Sequence, residues 1–456
     1  MRGPSLRYPL IAIVGVAVLA LLAAGPRPAQ SQTPNSQPPQ TSTRDGIHLG
    51  VASCAGSTCH GAIERLKGSS VPQNEYITWT RRDKHAKSYS VLFDERSKRI
   101  ARNLGLPDAH TAQICLDCHA DNAPADKRGR QFQISDGVGC EACHGAASGW
   151  LGIHISGAAH KDNVAAGLYP TDQPLARAEK CLGCHLGDDK RYVTHKIMGA
   201  GHPRMIFELD TFTAVQPAHF VVDKSYVERK GAVNDVQVWA IGQAVEVSRF
   251  MDEVLDPKRG PSGLFPELAL FDCQACHHGI KEPKWEPRSS SGLGPGTVRL
   301  YDANVIMLRV IAQRVAPATA KTLGEQLLGL HKATTESWAA VQSQARAVKK
   351  TASDLVAVLS QHNFDRDDIT AMAESLIRGG LTGGDEVDYS NAEQATMALA
   401  SVVSALKQGG YVSDSQKTSL GDAVNKLYEA VATNESFRPE GFKLALRDFQ
   451  QALPAR

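Results

Sequence analysis

The sequence predicts a mainly α fold in two parts: short helices and loops organised around repeated cysteine–histidine strings, then a C-terminal helical bundle. Three observations carry this reading. All ten cysteines lie between Cys54 and Cys276, in five close pairs, each followed at once by a histidine. The segments between the pairs are short, rich in Ala, Gly and Lys, and show little strand-type alternation. Beyond residue 298 no cysteine occurs, and apolar residues recur at helical spacing in one segment after another.

The pairs are Cys54/Cys59, Cys115/Cys118, Cys140/Cys143, Cys181/Cys184 and Cys273/Cys276, trailed by His60, His119, His144, His185 and His277. Four read CLDCH, CEACH, CLGCH and CQACH; the first, CAGSTCH, has a longer loop. This spacing suits covalent attachment of c-type haem, because two thiols must reach the two vinyl groups of one porphyrin from one short turn. The next residue then lies beneath the ring, where its imidazole can bind the iron as proximal ligand. Zinc sites need two such pairs per metal and no trailing histidine. A disulfide framework would not be so regular, and a thioredoxin-type motif would not recur five times. The sequence therefore points to five covalently bound haem c groups and to a mainly α, multihaem cytochrome c core of short helices and loops around stacked haems.

The chain has 456 residues, enough for two or three domains. A 42% hydrophobic fraction excludes wholesale disorder and a polytopic membrane protein. Fifty basic residues against 48 acidic ones leave no cationic excess for a nucleic acid. Aromatic residues make up only 6%, which fits a core whose flat apolar bulk is supplied by porphyrins. Five haems within residues 54–277 means one per about 45 residues, so the rings should lie in near contact and conduct electrons between them.

Residues 1–31 read as a signal peptide: Arg2 and Arg7, the apolar run Leu10–Ala24, and a small-residue cleavage site at Ala29-Gln30-Ser31. An uncleaved membrane anchor is the competing reading, and either way the folded part is exported to the periplasm. Residues 32–47, polar and proline-rich, read as a disordered leader. Loss of residues 1–31 removes Arg2, Arg7 and Arg27 and no acid, taking the formal charge from +2 to −1. Haem propionates then bring the loaded protein to about −6.

Haem iron takes a second axial ligand, and eleven histidines lie outside the motifs. They are His48, His85, His110, His154, His160, His195, His202, His219, His278, His331 and His362, nine of them interleaved with the motifs. That clustering is expected of distal ligands in low-spin, bis-histidine haems. His331 and His362, in the cysteine-free part, read as packed or solvated helix residues.

The bundle follows a linker at residues 286–297, dividing the chain into a haem region at 48–285 and a helical part at 298–456. Helices are expected at Tyr76–Leu104 and Val236–Leu255, then at Arg299–Val315, Pro317–Lys349, Ala352–Gln361, Asp367–Ile377, Asn391–Gln408, Ser415–Thr433 and Glu440–Leu453. Ser390-Asn391-Ala392-Glu393 reads as a capping box, and Gly409-Gly410 as the stop of the helix it opens. Ala395, Ala398, Leu399, Val402, Val403 and Leu406 mark that helix's core face.

The string TWTRRDKHAKSYSVL around His85, then CLDCH, then GVGCEACHG with a histidine ten residues past His144, resembles the cytochrome c-554 family. That family is related in haem arrangement to hydroxylamine oxidoreductase and the pentahaem nitrite reductases. The resemblance runs from about Cys54 to His185. The longer first cysteine loop, the fifth motif and the C-terminal extension depart from it. It implies that His85 pairs with His144 and His154 with His60, and that the haem of His119 is five-coordinate. For His185 it leaves His195, His202 or His219 open. The fifth haem has no counterpart there; His202 is the first choice for His277, ahead of His195 and His219. The expected function is electron transfer between redox partner proteins, other cytochromes or a quinol-linked donor. The alternative is an oxidoreductase acting on a small inorganic nitrogen or sulfur species at an open haem.

Overall fold

The computed structural model describes residues 46–69, 71–232, 234–260, 266–277, 293, 298–382 and 388–454, all within the compact unit spanning residues 38–456. The proposed signal peptide lies outside the described residues, as do His278, nearly all of the leader and, save Leu293, the linker. The described chain is helix and turn, with three isolated β-bridges and no longer strand. None of its helices is long and apolar enough to cross a membrane.

The first part is built from brief elements: α1 (Glu75–Arg82), α2 (Glu95–Leu104), α3 (Gln113–His119), α4 (Cys140–His144), α5 (Leu151–Ile155), α6 (Pro174–His185), α7 (His195–Gly199) and α8 (Leu209–Val215). The helix expected over Tyr76–Leu104 is broken twice. Asp83 and Asp94 both adopt extended backbone, and two short 3₁₀ turns separate α1 from α2. At Asp83 the cause is local: its carboxylate takes the main-chain N–H of His85 at 3.0 Å, an alternative to helical hydrogen bonding.

The second part begins earlier in sequence than the cysteine-free region. Helix α9 (Asp235–Leu255) is capped by Asn234 and nearly all buried. It is followed by α10 (Ala303–Val315), α11 (Pro317–Ala333), α12 (Trp338–Gln361), α13 (Arg366–Leu381), α14 (Tyr389–Gln408), α15 (Asp414–Ala430) and α16 (Pro439–Ala452). Residues 317–361 break at 334–337 instead of near residue 350, because Ser337 turns extended and caps α12. Helix α14 is opened by Asp388, whose carboxylate accepts from the N–H of Asn391 at 3.0 Å. Ser390, the expected cap, lies inside the helix with its hydroxyl on Asp272. The stop at Gly409-Gly410 is as expected, with Gly410 left-handed at φ 68°.

One apolar core runs through this part. It gathers Trp239, Met251, Ile306, Leu327, Leu359, Leu399, Phe442 and Phe449, and reaches Ala178 and Leu182 on α6. A chain of buried amides pins α9 at its centre: Asn304 Nδ2 donates to Gln243 at 3.0 Å, Gln243 to Gln394 at 3.2 Å, and Gln394 to the carbonyl of Phe207 at 3.0 Å. The first part has only a small cluster of its own, around Leu92, Ala101, Ala109, Leu116 and Ala120.

Candidate haem sites

One turn of helix puts positions i, i+3 and i+4 on one face, and that is how three motifs are held. Cys115, Cys118 and His119 close α3; Cys140, Cys143 and His144 form α4; Cys181, Cys184 and His185 close α6. The fifth motif is a 3₁₀ turn in which the N–H of His277 returns to the carbonyl of Cys273 at 2.7 Å. None of the ten cysteines is in a disulfide.

The first motif, with the longer spacer, is held differently. It is a turn and not a helix, closed by His60 N–H to the carbonyl of Cys54 at 3.2 Å and by Cys59 N–H to the carbonyl of Gly56 at 2.9 Å. Cys59 is exposed and its partner Cys54 half-buried. Cys276, in the fifth motif, is the other exposed thiol, and it too sits on a turn outside an α-helix. The eight remaining cysteines are half-buried.

Each motif histidine faces one other histidine. The ring centroids are 6.1 Å apart for His60 and His154, 6.4 Å for His119 and His202, and 6.3 Å for His144 and His219. They are 6.2 Å apart for His185 and His85, and 6.1 Å for His277 and His195. Two imidazoles holding one metal from opposite sides, with metal–nitrogen bonds of about 2.0 Å, put their centroids about 6.3 Å apart. By contrast His110, stacked directly on Phe93, has its centroid 4.4 Å from that ring. The five pairs therefore fit an iron between their rings.

Hydrogen bonding points the same way. A histidine that binds metal through one ring nitrogen usually donates its other N–H to a fixed acceptor. His60 Nδ1 meets Glu75 at 2.9 Å and His85 Nδ1 meets Asp83 at 2.9 Å. His119 Nδ1 meets the Ser88 carbonyl at 2.9 Å, and His202 Nδ1 the Pro203 carbonyl at 2.7 Å. In each of these four, Nε2 is left for a ligand. Burial pushes both His144 and His185 down to about 4, so each is the neutral imidazole that a metal needs. Phe207 stacks on His185 at 4.8 Å and fixes its plane.

The remaining described histidines are engaged elsewhere. His48 Nδ1 binds Asp121 at 2.7 Å, His160 Nε2 binds Asp172 at 3.1 Å, and His362 Nε2 binds Asp368 at 2.7 Å. His331 is fully buried on α11, 3.4 Å from Asp302.

The pairing differs from what the resemblance implies. His154 does face His60. His85 faces His185 and not His144, because the extended backbone at Asp83 turns the chain out of α1 and carries His85 toward the end of α6. His219, on the loop after α8, takes the place beside His144. His202 faces His119, where no partner was expected, and so is not the partner of His277; His195, at the start of α7, is.

The motifs also abut one another. Cys54 lies near Cys140 and Cys118 near Cys184, and Cys184 Sγ is 3.9 Å from the carbonyl of Asp117 in the second motif. The first motif is thus close to the third and the second to the fourth. Glu141, the first spacer residue of CEACH, is buried and accepts main-chain N–H bonds from Leu49, Gly50 and Ala147 at 2.7–2.8 Å. It ties the start of the described chain to α4. Sequence reasoning did not single out Glu141, Glu75 or Asp83. Only Asp83, two residues before a histidine, carried a local signal.

Residues 38–145, which contain the first three motifs, match the family of cytochrome c554 and c-prime. The chain is a c-type cytochrome resembling that family. That resemblance implies covalently bound haem c and a role in electron transfer. No curated protein and no solved structure matches the cytochrome. The match ends one residue past His144, so the fourth and fifth motifs and the whole bundle lie beyond it.

Proposed function

We propose that this cytochrome is an exported, periplasmic pentahaem protein that relays electrons between redox partner proteins, with every iron held by two histidines. The observation that carries the reading is the set of five histidine pairs at one common separation, each containing one motif histidine. Bound haem supplies one-electron chemistry without a proton or a substrate at the iron. The chain's part is to fix both axial imidazoles, to exclude other ligands, and to set each iron's surroundings. His202 opposite His119 takes the face that an oxidoreductase on a small nitrogen or sulfur species would need open, and so favours the relay. The nearness of cysteines from different motifs supports close haem spacing, and export fits the family's usual compartment.

The oxidised protein should therefore carry five haems by mass, be wholly low-spin, and bind no carbon monoxide when reduced. The ring planes predict two classes of electron paramagnetic resonance signal. Two pairs are near parallel, at 12° and 29°, and three near perpendicular, at 86°, 86° and 89°. Near-perpendicular planes leave two iron d orbitals almost degenerate, giving a larger maximum g value than parallel planes. Two spins of the parallel type and three of the perpendicular type are expected. His202→Ala should convert one perpendicular component to high spin and open it to carbon monoxide. A high-spin component in the unmodified protein would instead favour the enzyme reading.

A further inference from the structure

Helix α1 is eight residues long, and a carboxylate at each end backs a different histidine pair. Glu75 opens the helix. One of its oxygens lies 2.9 Å from His60 Nδ1, and the other accepts the N–H of Gln73 at 3.1 Å. Asp83 closes it. One oxygen lies 2.9 Å from His85 Nδ1 and also accepts the His85 main-chain N–H; the other accepts from Gln216 Nε2 at 2.9 Å. The Asp83 side chain is only 4% exposed and that of Glu75 15%. The helix is fixed at both ends, by Tyr76 N–H to the His60 carbonyl at 3.0 Å and by Trp79 Nε1 to the Val138 carbonyl at 3.2 Å.

The acceptors behind His119 and His202 are different in kind: both are neutral main-chain carbonyls. The difference has an electronic consequence. A carboxylate accepting the Nδ1–H draws that proton toward itself and gives the imidazole partial anionic character, which makes it a stronger donor to a metal at Nε2. Stronger donation and a nearby negative charge both favour the ferric state, so the iron's potential falls. Neither effect arises behind a carbonyl.

We propose that Glu75 and Asp83, acting through His60 and His85, place the irons of the His60–His154 and His185–His85 pairs at the low-potential end of the relay, below that of the His119–His202 pair. The inference rests on the bis-histidine reading above. One short helix thereby sets two potentials, and the nearness of Cys54 to Cys140 and of Cys184 to Cys118 places these two irons in different neighbouring couples, one beside the third motif and one beside the second. Each couple then contains one low-potential member.

The test is a redox titration of the holoprotein followed by electron paramagnetic resonance, because the two pairs differ in ring geometry, 12° against 86°. Glu75→Gln should raise the potential of one component of the parallel class by more than it moves any component of the perpendicular class, in which His219 also feels the charge of Glu75. Asp83→Asn should raise one component of the perpendicular class most, with at most a smaller rise in a second from the charge of Asp83 near His219. Gln216→Ala, which frees the far oxygen of Asp83 without touching a ligand, should lower that same component, and it serves where the Asp83 variant fails to fold. Glu95→Gln, an exposed acid on α2, should move nothing. The proposal is overturned if Glu75→Gln and Gln216→Ala leave every component in place, or if Glu95→Gln shifts one as far as they do. His85→Gly checks the underlying reading separately: a spectrum that stays wholly low-spin removes the ligand assignment itself, whereas unshifted potentials in a wholly bis-histidine protein remove only the tuning.

Discussion

Asp210 is buried on α8 beside Glu208 and Asp235, and burial, followed by the charge of those two acids, lifts its carboxyl to about 8. The unfolded chain releases this proton near the ordinary carboxylate value, whereas the folded chain keeps it. Stability therefore falls as the pH rises across that interval and levels off above it. Asp210→Asn removes the penalty while keeping a side chain of the same shape. It should stabilise the protein by about 1–3 kcal/mol at pH 8, with the advantage shrinking toward pH 4. Urea unfolding at several pH values measures this, and a gain of equal size at every pH would contradict the assignment. The histidines show how far single residues can be read. The ten that pair were legible as a set, since five follow cysteine pairs and the others lie among them. Their partners were not, because the path of the chain to each is set by packing elsewhere: His85, His202 and His219 lie on turns or loops, and His154 and His195 on helices of only five residues. His154 lies ten residues past His144 and reaches His60, while His85 crosses a hundred positions to His185.

Helices α9 to α16 follow apolar stripes that the sequence carries plainly, and most of their bounds lie within a few residues of expectation. Where they differ, a side chain competes for a main-chain N–H, as at Asp83, Ser337 and Asp388. Such competition depends on the backbone already being turned, which periodicity alone does not report. The contact between α8 and α9 was equally hidden. A Cβ at Gly242 would stand 2.7 Å from Cβ of Leu209, so the helix is close to its neighbour only because that position is glycine. Gly242→Ala should cost about 1–3 kcal/mol by overpacking, despite alanine's better helix propensity. Gly441→Ala, on α16 with open space at its Cβ, is the matched control and should gain up to about 1 kcal/mol. Thermal unfolding of the two variants should move in opposite directions, and a shared loss would show that the cost at Gly242 is not steric.

The two parts of the molecule are stabilised by different things. From α6 onward a continuous side-chain core includes nearly every large fully buried residue, among them Trp239, Phe442 and Phe449. Before α6 the buried cluster is five small or medium residues, and the chain is instead organised by histidine pairs set about one iron apart. A domain whose interior is supplied by a covalent cofactor has little reason to fold without it, since burying backbone and polar side chains around empty space forfeits both dispersion and hydrophobic stabilisation. The bundle has no such dependence. Chain made without haem attachment should therefore keep much of its helical circular dichroism, because the long helices lie in the bundle. Limited proteolysis should cut it freely between residue 46 and about residue 230 and leave a protected fragment that begins near Asp235, the start of α9. The haem-loaded protein should resist the same protease in both regions. If the haem-free chain is instead digested throughout at one rate, the bundle needs the haem region as a template, and the packing of Ala178 and Leu182 into the shared core is where that dependence would enter.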